Sequence, residues 1–182
     1  MRPEVGERRP ALVLVDGPSG SGKSTLADAL VRAGDAAAGL EPGAQLLRLD
    51  DVYPGWDGLE AASRHLERHV LPAMRPGGRP RWRRWDWACD APAGWRDLDP
   101  DRPLVVEGCG SLTRLTSRLA TRRIWVEADD DVRRARAIAR DGEPFAVEWE
   151  RWDAQWRRHL AREDPRALAD VVVRTDAVPT AG

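Results

Sequence analysis

A glycine-rich segment near the start of the chain limits the available folds more than any other sequence feature. The segment DGPSGSGKST contains Gly17 to Ser24, which satisfy the pattern G-x-x-x-x-G-K-[ST]. The apolar run ALVLV comes directly before it and predicts a buried strand. Apolar residues at helical spacing follow, from Lys23 to about Arg32. A strand, a glycine loop and a helix in this order indicate an α/β fold.

The residue types of this loop suit a phosphate group. Gly17, Gly20 and Gly22 allow backbone N–H groups to turn inward around phosphate oxygens, and the following helix N-terminus adds partial positive charge. Lys23 is the only lysine, since 28 of the 29 basic residues are arginine. Its compact ammonium fits between phosphates where a planar guanidinium would fit poorly. The predicted ATP-binding residues are Gly17, Ser19, Gly20, Ser21, Gly22, Lys23, Ser24 and Thr25, with Ser24 also on Mg²⁺.

The rest of the chain alternates predicted strands and helices. Apolar runs predict five strands at 11–16, 45–50, 104–108, 123–128 and 169–175. Helices are predicted over 23–32, 59–74 and 129–142, and a further helix carries Trp149, Trp152 and Trp156 as packing residues. The stretch 75–95 predicts a loop or hairpin. Together these patterns predict a P-loop NTPase three-layer sandwich with a five-stranded parallel sheet, in a single domain over 1–182.

Composition excludes several classes of protein. The formal net charge of −1 gives no overall attraction to nucleic acid or to an anionic membrane, so neither is an expected partner. Cys89 and Cys109 lie far apart in the sequence, which supports neither a disulfide nor a zinc site. The absence of asparagine and of a second lysine excludes the Asn-Lys-x-Asp motif of standard GTPases. No stretch has transmembrane length and the first apolar run is too short for a signal peptide, so we expect a cytoplasmic protein.

Motifs along most of the chain resemble the uridine kinase family and its relatives, the nicotinamide riboside kinases. They are GPSGSGKST at 17–25, LDDVY at 49–53, WDW at 85–87, VVEG at 105–108 and RRARAIARDG at 133–142. The resemblance implies an ATP- and Mg²⁺-dependent kinase that transfers the γ-phosphoryl group to a hydroxyl of a nucleoside or nucleoside-like acceptor. The DGPSGSGKST segment is equally similar to cytidylate kinases, which leaves a nucleoside monophosphate kinase as the alternative.

The LDDVY motif carries the predicted catalytic base. In the resembling family an Asp-x-Phe-Tyr segment ends the second strand and its aspartate is the base toward the acceptor hydroxyl, which corresponds to Asp50, with Tyr53 matching the tyrosine. A carboxylate there can accept the hydroxyl proton and lie near Mg²⁺. The alternative for Asp50 is an aspartate that caps a turn. For Asp51 two predictions are equally open: its side chain contacts the substrate, or it faces away from the site.

The remaining acceptor-side residues come from three motifs. The resemblance implies that Glu107 contacts the acceptor or a metal-bound water, although a buried, paired carboxylate is the competing interpretation. Asp57 is predicted to meet sugar hydroxyls or to stabilise a turn. Trp85 and Asp86 match the family's Tyr-Asp-Phe segment, and a tryptophan of WDW can stack on a planar acceptor or pack in the fold. The family's following histidine is replaced by Asp90, which departs from uridine recognition.

Three arginines, Arg133, Arg136 and Arg140, recur at helical spacing and can share a face. The resemblance implies that Arg136 and Arg140 close over the triphosphate as catalytic residues in a lid at about 136–150. The competing interpretation is a solvated basic face, and the sequence does not choose among the three arginines.

Two other functions stay open at this stage. Arg81, Arg83 and Arg84 could pair with a phosphate on the acceptor, as a monophosphate kinase requires, and their interleaving with tryptophan is a weaker indication of single-stranded nucleic acid. A regulator that binds ATP without catalysis is the third class. The carboxylates of Asp50 and Glu107 favour an enzyme, because a sensor has no evident need for them.

Overall fold

The predicted parallel sheet is the centre of the fold in the computed structural model, which describes residues 9–176. The strands are β1 (Leu12–Asp16), β2 (Gln45–Arg48), β3 (Arg81–Asp86), β4 (Ala91–Asp97), β5 (Leu104–Glu107), β6 (Arg122–Glu127) and β7 (Val171–Arg174). Five of them form a parallel sheet in the order β2-β5-β1-β6-β7, which confirms the predicted fold class. The ends of the predicted domain, 1–8 and 177–182, lie outside the described residues.

Helices cover both faces of this sheet. They are α1 (Lys23–Ala33), α2 (Leu59–His65), α3 (Asp130–Asp141), α4 (Glu143–Glu163) and the short α5 (Pro165–Leu168). Successive side chains of a strand point to opposite faces, so β1 contributes Leu12 and Leu14 to a core with α2 and α4, and Val13 and Val15 to a second core with α1. A sheet buried on both sides gives the three layers that the continuous apolar strands predicted.

The strand register brings three carboxyl ends to one edge of the sheet. Val15 of β1 and Arg48 of β2 both lie opposite Glu107 of β5. The glycine loop leaves the sheet directly after β1, and Asp50 follows β2 by two residues. In open α/β sheets, ligands bind in the crevice outside the carboxyl ends of the strands, so this edge is where the candidate site belongs.

The second helix is shorter than its sequence predicted. The α-helical part ends at His65, after which the chain continues as a wider helical turn over Leu66–Val70 and a tight turn over Leu71–Ala73. Pro72 has no amide hydrogen to continue the helical ladder. The predicted helix over 59–74 is therefore a succession of three helical types, of which only the first is α-helical.

The irregular stretch at 75–95 contains a hairpin. Strands β3 and β4 pair antiparallel as a separate two-stranded sheet, with a register shift between Arg83 and Trp85. Asp90, in the turn between them, has φ +46°. The turn also carries Trp87, which the hairpin brings back to the edge of the main sheet through a hydrogen bond to the carbonyl of Asp50.

The two long helices near the C-terminus form a corner at Gly142. Helix α3 ends there, Gly142 has φ +72°, and α4 begins with Pro144 in its first turn. Trp149, Trp152 and Trp156 are all buried on α4, as the spacing of the stripe predicted. Over residues 9–176, no helix has both the length and the apolar character needed to cross a membrane.

Candidate active site

The glycine loop follows a path that larger side chains would obstruct. Gly17 has φ +149° and Gly20 has φ +78°. A Cβ on Gly17 would lie 2.0 Å from the carbonyl oxygen of Val126, and one on Gly20 would lie 1.9 Å from that of Arg133. The loop therefore lies against β6 and α3, and this close approach requires glycine at both positions.

A cavity of about 230 Å³ opens at the point where the loop enters α1, and we call it the loop cavity. Its walls combine the loop with one face of α3: Gly20, Gly22, Lys23, Ser24, Thr25, Arg136, Ala137 and Arg140. The first N–H groups of a helix lack partners within the helix and carry partial positive charge. This cavity therefore suits a phosphate group.

The buried polar groups of the loop have few partners. The Lys23 ammonium donates to the carbonyl oxygen of Pro18 at 2.8 Å and lies 3.6 Å from Sγ of Cys109. The Ser21 hydroxyl is buried without a hydrogen-bond partner in the described part of the chain. A phosphate in the loop cavity would supply the charged partner that neutral acceptors do not give the ammonium.

Glu107, at the end of β5, lies beside the start of α1. Its buried Oε1 accepts a hydrogen bond from the Ser24 hydroxyl at 3.1 Å and lies 3.5 Å from Nε of Arg48. Burial raises the pKa of Glu107, and the nearby Lys23 opposes that rise. Glu107 is therefore a buried carboxylate with polar partners, as the competing interpretation predicted.

The oxygen atoms of Ser24 and Glu107 fit a Mg²⁺ ion that arrives with phosphates. Magnesium prefers oxygen ligands and usually keeps several waters, with one or two protein groups and substrate phosphates completing the shell. Among residues 9–176, no group of three or more His, Cys, Asp or Glu side chains could hold a metal by itself. The residues present therefore suit a phosphate-dependent site rather than a protein-only metal site.

Asp50 lies in a tight turn that follows β2 directly, rather than in the strand itself. Its side chain is open to a second cavity, but protein atoms crowd it on the other sides, and this loss of water raises the pKa of Asp50. The positive charges of Lys23 and Arg140 oppose the rise. Its neighbour Asp51 is exposed and lines neither cavity.

The second cavity has a volume of about 300 Å³, and we call it the aromatic cavity. Aromatic rings from four parts of the chain form most of its wall, and the full lining is Ser19, Asp50, Tyr53, Trp56, Trp87, Arg140, Asp141, Pro144, Phe145 and Trp152. Tyr53 is buried and donates its hydroxyl to the carbonyl oxygen of Cys109 at 2.8 Å. Ser19 connects this wall to the loop by accepting from Nε1 of Trp152 at 2.9 Å.

The structure separates the three arginines of α3. Arg133 is buried and binds Asp153 and Asp130 at 3.1 and 2.7 Å, so it holds α3 against α4. Arg136 lines the loop cavity and donates to the carbonyl oxygen and hydroxyl of Thr175. Arg140 lines both cavities. Of the three, Arg140 is the one that joins the two candidate binding sites.

Besides Asp51 and Glu107, three further predicted acceptor residues lie outside the aromatic cavity. Asp57 is exposed and forms an ion pair with Arg151 of α4. Trp85 lines a separate cleft between the hairpin and α2. Asp86 accepts from Arg84 at 2.9 Å and from the backbone of the hairpin turn, which is a local structural arrangement. The structure thus brings Asp50, Tyr53 and Glu107 to the site but not these three.

Several residues of the site have no distinct signal in the sequence. Trp56, Phe145 and Trp152 belong to the aromatic wall, yet in a chain with nine tryptophans each reads as a packing residue. Asp16 is fully buried at the end of β1 and accepts from the amides of Gly110 and Leu112, which ties the loop to the segment after β5. Burial raises the pKa of Asp16. The one sequence feature that indicates a role for Asp16 at the site is its position directly before the glycine loop.

The parallel sheet and the glycine loop directly after β1 together form the three-layer α/β architecture of P-loop NTPases. No family model matches the sequence, and the curated proteins contain no significant match. Solved structures do match it over nearly the whole length of the chain, at sequence identities low enough that the likeness establishes the fold alone.

Three of these structures are informative. A possible uridine kinase from Bacillus stearothermophilus superposes with a TM-score of 0.61 at 16% identity, covering 93% of this chain and 91% of that one. A candidate fructose transport system kinase from Silicibacter sp. TM1040 gives 0.52 at 22% identity, with coverages of 94% and 92%. An uncharacterized protein from Eubacterium ventriosum gives 0.52 at 10% identity, with coverages of 91% and 88%.

Proposed function

We propose that this protein is an ATP- and Mg²⁺-dependent kinase that transfers the γ-phosphoryl group to a hydroxyl of a small molecule. The observation that carries the proposal is the pair of adjoining cavities, one on the glycine loop and one holding Asp50, with Arg140 lining both. A phosphoryl transferase needs a phosphate site and an acceptor site that meet at the transferred group. The resemblance in sequence predicts a nucleoside or nucleoside-like acceptor.

The loop residues are the proposed nucleotide-binding side. Lys23 and the backbone amides of the loop hold the phosphates, and the N-terminus of α1 adds partial positive charge. Ser24 is the proposed Mg²⁺ ligand, and its hydroxyl is hydrogen-bonded to Glu107. Asp50 is the proposed second contact of the ion. A bound ion would neutralise charge on the phosphate oxygens.

Asp50 is the proposed general base. As the acceptor oxygen forms its bond to the γ-phosphorus, the bond from that phosphorus to the bridging oxygen breaks and ADP leaves with the electron pair. The acceptor proton passes to the Asp50 carboxylate. Crowding by protein atoms raises the pKa of Asp50, and a raised pKa makes the carboxylate a stronger base.

Arg140 is the proposed residue that stabilises charge on the transferred group, and Arg136 assists from the loop cavity. Both are on α3, and the predicted lid at about 136–150 covers the end of α3, Gly142 and the start of α4. Arg140 holds Asp141 through Nε and Nη2 at 2.7 Å, so its three other N–H groups are the ones proposed to meet a phosphate.

The monophosphate kinase alternative receives less support. Arg83 and Arg84, proposed to hold an acceptor phosphate, line the cleft beside Trp85, whereas Arg81 packs over Trp95. None of the three lines the aromatic cavity. A regulator that binds ATP without catalysis would leave unexplained why an aspartate with a raised pKa lines the cavity that adjoins the loop cavity.

Replacing Asp50 by Asn tests the proposal. The substitution keeps the shape of the side chain but removes the proton acceptor, so acceptor-stimulated ADP release should fall by about 10²–10⁴-fold. Calorimetric titration with MgATP should show nearly unchanged affinity. Asp51→Asn is the matched control and should retain activity, because Asp51 lines neither cavity. An Asp50→Asn protein with full turnover would remove Asp50 from the mechanism.

A further inference from the structure

The aromatic cavity has four polar lining residues, and three of them come from the glycine loop or from the end of α3 that lines the loop cavity. Its polar members are Ser19, Asp50, Arg140 and Asp141; Ser19 belongs to the glycine loop, Arg140 also lines the loop cavity, and Asp141 follows Arg140 in the chain. The remainder of the wall is aromatic, apart from Pro144. An acceptor in this cavity therefore meets hydrogen-bonding groups at the phosphate end and ring surfaces elsewhere.

The polar atoms of three wall residues are already engaged by the protein. Nε1 of Trp87 donates to the carbonyl oxygen of Asp50 at 2.8 Å, and Nε1 of Trp152 donates to the hydroxyl of Ser19. The hydroxyl of Tyr53 donates to a backbone carbonyl. These side chains consequently offer the ligand ring carbon rather than hydrogen-bond donors, and the hydrogen bonds fix their orientation before a ligand binds.

Ring surface is available at the mouth of the cavity. Trp87 is 40% exposed, although it packs against Trp56 with 5.0 Å between ring centroids. Trp56 in turn lies 5.6 Å from Phe145. Exposed indole beside two further rings is the arrangement that stacks a flat ring, since aromatic pairs form at centroid distances of roughly 4.5–7 Å.

The described lining contains two carboxylates, Asp50 and Asp141, and one of them is already paired. The Arg140 guanidinium already holds the Asp141 carboxylate in two hydrogen bonds of 2.7 Å. Asp57, predicted to meet sugar hydroxyls, is paired with Arg151 outside the cavity. Asp50 is left as the carboxylate for a single hydroxyl.

From these observations we propose that the acceptor is a small aromatic or heteroaromatic alcohol that carries its hydroxyl on a short side arm and has no ribose. The ring stacks on Trp87 and Trp56, and the hydroxyl reaches Asp50 beside the phosphate end. The cavity volume of about 300 Å³ suits a small ligand of this kind. This inference rests on the proposed kinase function and narrows its acceptor away from nucleosides.

The test compares two acceptor panels in an assay of ADP release with MgATP. One contains indole-3-ethanol, 2-phenylethanol and 3-(hydroxymethyl)pyridine, and the other contains uridine, cytidine and nicotinamide riboside. We expect kcat/KM to be at least about tenfold higher for the best member of the first panel. Trp87→Ala should raise the KM for that best aromatic alcohol by about tenfold, because stacking on an aromatic side chain contributes affinity. Trp95→Ala is the control, since Trp95 is 45% exposed on the hairpin outside the cavity and should leave KM unchanged.

Binding is measured separately by saturation-transfer NMR with indole-3-ethanol. A saturation-transfer signal that is lost in Trp87→Ala but kept in Trp95→Ala supports recognition of the ring in the aromatic cavity. If no acceptor stimulates ADP release while this signal is present, the proposed kinase function fails and the assignment of the cavity as an aromatic-ligand site stands. Preferred use of the ribosides would overturn the inference while leaving the kinase intact. Absence of both turnover and Trp87-dependent binding with the first panel would also overturn it.

Discussion

Lys23 shows how one residue can be tied to one chemical requirement. The chain uses arginine at its 28 other basic positions, yet it has lysine where the ammonium is buried in the loop and held 2.8 Å from the Pro18 carbonyl oxygen. A guanidinium is broader and planar and presents its donors in a fixed fork. The compact ammonium instead lies in a buried position between the Pro18 carbonyl oxygen and Sγ of Cys109, where a forked group would have to displace these neighbours.

Replacing Lys23 by Arg should therefore lower kcat/KM by about 10²-fold or more, since both positioning and charge stabilisation at the phosphates are disturbed. Steady-state ADP release measures the change. Arg32→Lys, an exposed exchange on the same helix, is the matched control and should be neutral. Full activity of the Lys23→Arg protein would contradict the reason given for the single lysine.

Asp50 should titrate above the ordinary aspartate value of about 3.9, because desolvation outweighs the opposing charges of Lys23 and Arg140. A base acts in its ionised form, so kcat/KM should fall as the pH decreases through this raised pKa. NMR of protein labelled with ¹³C at aspartate carboxyls measures the pKa directly, with Asp50→Asn identifying the signal. A midpoint at or below the ordinary value would show that the site does not tune this carboxylate.

At the scale of elements, the sequence predicted those helices and strands that the local pattern of apolar residues determines. Five apolar runs became the five strands of the sheet, and the aspartates before α3 and Gly142 after it mark that helix as expected. Strand ends were less well predicted, because Asp50 left β2 for a tight turn. The change of helical type after His65 follows from Pro72, whose effect spreads over a turn that periodicity alone does not reveal.

The packing of α3 against α4 depends on a buried ion pair that spacing on one helix did not predict. Arg133 looked equivalent to Arg136 and Arg140, but its partner Asp153 lies 20 residues along the chain on α4. Asp153 is 4% exposed and also binds Arg157 at 2.8 Å. The structural role of Arg133 therefore depends on how α3 packs against α4, which the spacing along α3 alone does not show.

Asp153→Ala should lower the free energy of unfolding by about 3–5 kcal/mol, because it leaves the buried charge of Arg133 with one exposed partner, Asp130. Urea unfolding measures this difference. Asp131→Ala, at an exposed position on α3, should change stability by less than about 0.5 kcal/mol. A loss for Asp153→Ala as small as that of the control would mean that the pair does not stabilise the helix corner.

At the scale of the whole molecule, the two halves of the candidate site differ in how far the sequence predicts them. The loop cavity is built mainly from one continuous motif, so its residues follow from Gly17 to Thr25. The aromatic cavity collects Trp56, Trp87 and Trp152 from three distant segments. Which tryptophans meet is decided by the hairpin and the α3–α4 corner, and this long-range geometry has no local sequence signal.

The central claim is that the two cavities together catalyse phosphoryl transfer to an alcohol. ³¹P NMR of the protein with MgATP and pooled acceptors, comprising aromatic alcohols, nucleosides, nucleoside monophosphates and other hydroxylated metabolites, tests it most directly. We predict ADP and a new phosphomonoester in equal amounts, dependent on the pool of alcohols and absent with Asp50→Asn. Phosphorylation of a nucleoside monophosphate instead, or no acceptor-dependent loss of ATP with any pool, would contradict the account.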